Sequence, residues 1–336
     1  MNLLKNSSIS FIIPIYNTDS NSYLNCIDSI LKQNISNFEI VVVNDGSNNK
    51  STLDAIDRSL MLSPNISYYT QSNQGSAAAR NNGLSKSKGD FIIFVDADDL
   101  IPEKFFDTLE LDNLNFDLAI FDYSVVKDKE EVCKSLIHPM DLSKDKESIY
   151  KNILYVPGIF EDFMLGAIWA KCFSRSFLTK NNLIFRDELR KTQDRIFMLE
   201  TCIAAKKIVY VPAFSYRYFL QENSITHKMN FNVIHYCELL INTSRKIITD
   251  NKMDQNVSKF FAYGVLGEVL QLTYFHRDFK GNWSEIRKGI LDLYKKYNID
   301  KDLKKIKLSE IPSLKSKVRF LLYKYHLIFP LYLYFH

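Results

Sequence analysis

Phe91-Ile92-Ile93-Phe94-Val95-Asp96-Ala97-Asp98-Asp99 runs through five apolar residues and ends abruptly in three carboxylates. A short apolar run bounded by polar residues reads as a buried strand. Side chains two apart on a strand point the same way, so Asp96 and Asp98 can present paired carboxylates at its carboxyl end. Hard oxygen donors of that kind suit Mg²⁺ or Mn²⁺, which in turn hold a diphosphate. A plain polar loop, with Asp99 capping the segment after it, accounts for the same residues. The surrounding segments have to decide.

Those segments alternate between two periods. Ile9 to Ile15, Phe38 to Val43 and Ile66 to Thr70 read as strands, and Ser22 to Gln33, Ser51 to Leu62 and Ser76 to Lys86 as helices. This order predicts an α/β fold, a mostly parallel sheet flanked by helices, with ligands beyond the carboxyl ends of the strands. Phe116 to Val126 reads as a further strand, after which Gly158 to Tyr218 mixes short apolar runs with Trp169, Asp194 and Arg217. From Phe231 the period is helical: Val233, Cys237, Leu240 and Ile247 share a face, as do Phe261, Val265, Val269 and Leu272, then Ile286, Ile290 and Leu293. The reading gives two parts, residues 1–228 as the α/β domain and 229–336 as a helical C-terminal region.

Bulk properties remove several classes. A net charge of +4 over 336 residues gives no footing for nucleic-acid binding. Five scattered cysteines without a Cys-x-x-Cys pair suit reduced thiols in a cytoplasmic compartment, not a disulfide frame or a zinc site. The start shows no secretory pattern, and Phe320 to Phe335, the most apolar stretch, is broken by Lys324, His326 and Pro330. The expectation is a cytoplasmic protein.

The loops after the strands carry the chemistry. Pro14-Ile15-Tyr16-Asn17 closes the first strand without the Gly-x-Gly-x-x-Gly turn of a dinucleotide fold, so a nicotinamide or flavin is not expected. Tyr16 offers a flat face for a base, or is a surface tyrosine. Asn44-Asp45-Gly46-Ser47 closes the second: Asp45 can accept from a base N–H, or the four residues are an Asx-turn. Gln74-Gly75 and Ala77-Ala78-Ala79-Arg80 open the third helix, small residues allowing close approach and Arg80 able to reach a base or diphosphate. A packed alanine helix with a solvated arginine is the plainer account.

Taken together, Phe11–Asn17, Val41–Ser47, Gln74–Asn81 and Phe94–Asp99 resemble the family 2 inverting glycosyltransferases of GT-A fold. That resemblance implies donor contacts from Pro14, Tyr16, Asn17, Asp45, Gly75, Arg80, Asp96 and Asp98, with Asp98 and Asp96 on Mn²⁺ or Mg²⁺. Trp169-Ala-Lys171 looks like the family's Trp-x-Lys on the acceptor side. Thr192-Gln193-Asp194-Arg195-Ile-Phe197 looks like its Glu-Asp-x-x-Phe, with Asp194 the catalytic base and Gln193 where Glu is usual. Tyr216-Arg217-Tyr218 and Asn223-Ser224 to His227 resemble the closing loop, implying diphosphate contacts from Arg217 and Ser224 and a further metal ligand in His227. The implied enzyme is a hexosyl- or N-acetylhexosaminyltransferase. It would move a sugar from a nucleotide-sugar donor, first of all a UDP-sugar, to a saccharide or lipid-linked acceptor in surface polysaccharide or lipopolysaccharide synthesis.

Two other readings stay open. A sugar-phosphate nucleotidyltransferase would need a glycine-rich basic loop where Tyr16-Asn17-Thr18-Asp19 stands. A non-catalytic nucleotide-sugar-binding partner of an assembly complex would not need Asp96, Asp98 and Asp194 together. At the C-terminus, Val318, Leu321, Leu322, Tyr325 and Phe329 share a helical face among Lys315, Lys317, Arg319 and Lys324. That face suits either peripheral contact with an anionic membrane at its inner side or docking as a terminal helix.

Overall fold

The first strand, β1 (Ile9–Ile15), is buried along its length except at Pro14. Helix α1 (Ser20–Leu31) starts at Asp19, whose carboxylate accepts from the N–H groups of Asn21 and Ser22. Next come β2 (Phe38–Asn44), α2 (Lys50–Leu60), β3 (Ile66–Thr70), α3 (Ser76–Lys86) and β4 (Phe91–Phe94). β1 pairs in parallel with β2 and with β4, and β2 in parallel with β3. The structure is a computed structural model, which describes residues 7–108, 115–128, 130–136, 142–154, 163–190, 192–220, 229–254, 259–311 and 313–335.

The second half of the sheet is less regular. The chain there runs through α4 (Phe105–Thr108), β5 (Leu118–Lys127), β6 (Glu130–Lys134), β7 (Lys171–Ser174), α6 (Arg175–Lys180), α7 (Gln193–Ala204) and β8 (Ile208–Phe219), with α5 (Lys146–Ile153) between β6 and β7 in sequence and almost wholly in the second unit. β7 runs antiparallel between β4 and β5. β6 is antiparallel to β5, and β8 parallel to it. Among the described residues this makes an eight-stranded sheet ordered β3-β2-β1-β4-β7-β5-β6, with β8 on β5. The expected parallel core is present; the antiparallel additions carry no clear period in the sequence.

Two units separate, residues 1–146 with 167–221, and residues 147–166 with 222–336. The division falls seven residues before the boundary read at 228, and it groups 147–166 with the helices. The second unit holds α8 (Val233–Asp250), α9 (Phe261–Leu272), α10 (Trp283–Tyr297), α11 (Ile299–Lys305), α12 (Leu314–Lys324) and α13 (Ile328–Phe335). All eleven apolar residues assigned to helix faces from Val233 to Leu293 are buried. Polar ties add to that core: Arg245 meets Asp302 at 2.7 Å, and Tyr297 donates to the Ile234 carbonyl.

Candidate active site

Strand ends and helix starts of the first unit are joined by side-chain hydrogen bonds at one rim of the sheet. After β1, Tyr16 keeps 44 % of its surface exposed. Asn17, at a left-handed φ of 49°, locks this loop to the one after β2. Its side-chain oxygen accepts from the N–H groups of Asn48 and Asn49, and its amide donates to Asn48 Oδ1. The Tyr16 ring is left as an open flat surface beside that joint. Pro14, half-buried, sits opposite Val43 in the ladder.

Asp45 is buried, and the loop opening α3 fills both of its oxygens. Oδ1 accepts from Gln71 Nε2 and the Gln74 N–H, and Oδ2 from the Gly75 N–H at 2.8 Å. Gly75 turns there at φ 94°, a conformation that side chains rarely adopt. The small residues of α3 also serve packing: a Cβ on Gly83 would lie 2.4 Å from Ile12 Cγ2, so the helix presses directly onto β1.

Arg80 lies at the centre. Its Nη1 donates to Asp194 Oδ1 at 2.7 Å and its Nη2 to Asp96 Oδ1 at 2.8 Å, with the guanidinium 5.5 Å from the Phe185 ring centre. Burial pulls the Arg80 pKa down, but Asp194 and Asp96 more than offset it. The sequence reading directs Arg80 at a base or diphosphate; here two carboxylates hold it. Two aromatic residues explain how those carboxylates come together. Phe94, two residues before Asp96, and Phe197, three after Asp194, pack with ring centres 6.1 Å apart. Phe185 stacks on Phe197 at 4.1 Å, and Phe173 completes the cluster. Residues three apart share a helix face, so seating Phe197 on β4 brings Asp194 to the strand's end.

Burial raises the pKa of Asp194, and Asp96 adds to the rise, while Arg80 and Lys171 oppose it. Asp98 is pushed up to about 6 by burial and by Asp96 beside it. β4 stops at Phe94, so Asp96 to Asp99 form a turn and not a strand end, with the Asp99 N–H on the Asp96 carbonyl. Asp99 does not cap a following helix. Its buried carboxylate accepts from the Tyr216 hydroxyl at 2.7 Å and the Phe219 N–H at 2.8 Å, and the Tyr216 oxygen also accepts from the Asp96 N–H. β8 therefore holds the acidic turn in place.

Trp169 is nearly buried and lies stacked on Tyr216 and Tyr218, with Tyr123 at its edge. Lys171, fully buried, donates to the Trp169 carbonyl at 3.2 Å, and burial pulls its pKa down to about 7. Arg217 makes a two-pronged pair with Glu131, Nη2 to Oε2 at 2.8 Å. Ser224 and His227 lie outside the described residues. Sequence reading gave Asp99 to a cap and Tyr216 to a closing loop, and did not name Arg190; Tyr216 lies instead on β8. Tyr216 and Asp99 clamp the turn. Arg190, exposed, lies so close to Gly75 that a Cβ there would sit 3.4 Å from its Cδ and Nη1. Gln193 Nε2 donates to Ser76 Oγ at 2.6 Å, tying the first turns of α7 and α3, while its buried Oε1 finds no partner among the described residues.

Residues 10–164 match the family model described as glycosyl transferase family 2. That stretch, a little under half of the chain, is a glycosyl transferase family 2 domain. EpsH of Bacillus subtilis (strain 168), named as a glycosyltransferase, is 28 % identical over 252 residues, which cover 74 % of this chain and 71 % of EpsH. The cholesterol galactosyltransferase of Borreliella burgdorferi is 25 % identical over 282 residues, 80 % of this chain and 74 % of that protein. Among solved structures, S. aureus TarS 1-349 in complex with UDP-GlcNAc aligns with a TM-score of 0.63 at 18 % identity, covering 97 % of this chain and 90 % of that one. At that identity the likeness is one of fold, and the fold is that of the GT-A enzymes.

Proposed function

We infer that the chain is an inverting glycosyltransferase. It takes a sugar from a nucleotide-sugar donor, first of all a UDP-sugar, and places it on a hydroxyl of a saccharide or lipid-linked acceptor in surface polysaccharide or lipopolysaccharide synthesis. One observation carries this reading: a single buried guanidinium spans Asp194, the base position, and Asp96, the donor side. The UDP-GlcNAc bound in TarS and the sterol named for the Borreliella relative support a UDP donor and a lipid-type acceptor.

In this reading Tyr16 stacks on the base, and Arg190 and Arg217 face the diphosphate side. Asp194 accepts the proton of the acceptor hydroxyl. That oxygen attacks the anomeric carbon opposite the nucleoside diphosphate, which leaves with the bonding pair. A base lifted by burial is better matched to this task near neutral pH than an ordinary carboxylate. Trp169 and Lys171 shape the floor of the acceptor side.

Asp98 and Asp96 would hold Mn²⁺ or Mg²⁺. They fit in chemistry: both offer hard oxygens, and burial with Asp96 beside it raises the Asp98 pKa, a shift that a bound cation would oppose by favouring the charged form. Among the described residues no three ligating side chains cluster, and a diphosphate would complete the set. The cation would supply positive charge to the departing diphosphate.

Thermal unfolding against UDP-, GDP- and dTDP-sugars, each with Mn²⁺ or chelator, tests the donor class. A ligand at a hundred times its dissociation constant adds about 2.7 kcal/mol. The anomeric proton coupling of the product then reads inversion directly. Retained configuration would remove Asp194 from its role, and binding without turnover across acceptors would favour a non-catalytic partner.

A further inference from the structure

The C-terminal pair of helices has two apolar faces; one is buried inside the helical unit, and the other faces outward, meeting the unit through Phe329, whose ring lies edge-on to Trp283 at 5.4 Å. Inward, Phe320 and Tyr323 of α12 are buried against Tyr263, with ring centres 6.1 and 5.1 Å away. Arg319 Nε donates to the Tyr263 hydroxyl, the Tyr294 hydroxyl donates to the Tyr323 carbonyl, and Ile328 and Leu331 of α13 are buried too. Those contacts fix how the tail sits.

Outward, Leu314, Val318, Leu321 and Tyr325 follow one another at intervals of four, three and four residues, one face of a helix. Leu314 is 78 % exposed and Tyr325 65 %, with Val318 also exposed and Leu321 half-buried. The stripe continues on α13 with Phe329 and Leu333, four apart and 56 % and 59 % exposed. Lys315 flanks it on one side and Lys317 and Lys324 on the other. No acidic residue occurs from Ser313 to His336.

We propose that this outward face rests on a bilayer rich in anionic phospholipid, its leucine, valine and aromatic side chains entering the headgroup boundary and its lysines engaging the phosphates. The pattern is that of an interfacial helix: an apolar stripe, a lysine collar and aromatic rings at the margin. No helix among the described residues is long and apolar enough to cross a membrane, so the face lies on the surface. Charge selects this occupant over a second copy of the chain, since pairing two such faces would set one lysine collar against the other. The inference stands apart from the sugar chemistry, because its test uses no substrate.

Co-sedimentation of the full chain with vesicles tests it, comparing phosphatidylcholine alone with an equal mixture of phosphatidylcholine and phosphatidylglycerol. The wild type is expected to pellet with the mixed vesicles and stay in solution with phosphatidylcholine. Near an anionic surface each lysine contributes about a fivefold gain, so Lys315→Gln, Lys317→Gln and Lys324→Gln together should weaken binding roughly a hundredfold. Leu314→Ser, Val318→Ser and Leu333→Ser replace outward residues, so their combined variant should keep the wild-type melting profile and lose the pellet. Two results would overturn the proposal: equal partitioning of wild type and lysine variant, or a wild-type dimer in light scattering that the serine variant abolishes while vesicle binding stays absent.

Discussion

Arg80 and Asp194, 114 positions apart in the chain, meet at 2.7 Å through Nη1 and Oδ1, and the same guanidinium reaches Asp96 at 2.8 Å. The proposed base and the proposed donor-side carboxylate are thus parts of one charged triad. A carboxylate held at one fixed point of a planar guanidinium is oriented as well as charged. For the proposed displacement, in which the acceptor oxygen must arrive opposite the leaving group, orientation of the base would be part of the rate.

Asp194→Asn keeps the shape of the side chain and removes its basicity. Transfer should fall by a factor on the order of 10² to 10⁴, the usual worth of a positioned general base, with donor affinity nearly unchanged. Donor titration by calorimetry beside single-turnover transfer separates the two. Matching losses in both would place Asp194 in donor binding instead.

Arg80→Met removes the partner of two carboxylates at once. Asp194 and Asp96 are only partly buried, so the loss should fall near or below the low end of a broken buried pair, about 2–3 kcal/mol by urea unfolding. Because Arg80 holds the Asp194 pKa down against burial, the acid limb of the kcat–pH profile should move to higher pH in this variant. Arg80→Lys should restore charge yet only part of the rate, since a point charge cannot bridge both oxygens in one plane. An unmoved pH limb would show that the two groups are not coupled in turnover.

The first four strands and three helices were legible because each strand is a short apolar run bounded by turn residues and each helix has its own period. The observed bounds differ from the read ones by a residue or two, as at α1, read from Ser22 and starting at Ser20. β7 was not legible: four residues, Lys171 to Ser174, with a buried lysine at their head. At the site, residue types at strand ends pointed to Tyr16, Asp45, Asp96 and Asp98, whereas Asp194 was marked only by the resemblance of Gln193 to Phe197 to a family motif. Their partners did not show. Asp99 reads locally as a cap, and only the fold reveals that Tyr216, 117 residues away, is what it holds. Arg80 likewise reads as a ligand donor until the packing of Phe94 on Phe197 delivers two carboxylates to it.

Asp98 gives a pH prediction with a definite sign. Its folded pKa of about 6 lies above the value of 3.8 for a free carboxyl. Between those values the folded chain holds the extra proton, so this group lowers stability as pH rises from about 4 to about 6. A divalent cation needs the carboxylate, so Mn²⁺ affinity in the presence of UDP should climb through the same window and level off above it. Calorimetry in two buffers of different ionisation enthalpy should detect proton release at pH 5.5 and little at pH 7.5. Asp98→Asn should remove both the release and the Mn²⁺ dependence; persistence of either would exclude Asp98 as the ligand.

Lys171 has the opposite sign. Burial depresses its folded pKa from 10.5 to about 7. From about pH 7 to 10.5 the unfolded chain binds a proton that the folded chain does not, so stability from this group rises with pH across that window. Lys171→Met should therefore melt a few degrees above wild type at pH 7, with the gap closing towards pH 10. Transfer should drop in the same variant, because the ammonium beside Asp194 is gone. A gap independent of pH would mean that the lysine stays charged in the folded chain.

Tyr216→Phe takes one hydroxyl from the acidic turn and nothing from the aromatic stack on Trp169. Among the described residues Asp99, almost wholly buried, would keep only the Phe219 N–H, and the Asp96 N–H would lose its acceptor. A buried polar group left without its partner costs about 1–3 kcal/mol, which urea unfolding should register as a lower midpoint at unchanged slope. The turn carries Asp96 and Asp98, so donor affinity with Mn²⁺ should weaken as well, by more than in Tyr218→Phe, whose ring also lies on Trp169. Equal effects from the two variants would assign the role to the stack and not to the hydroxyl.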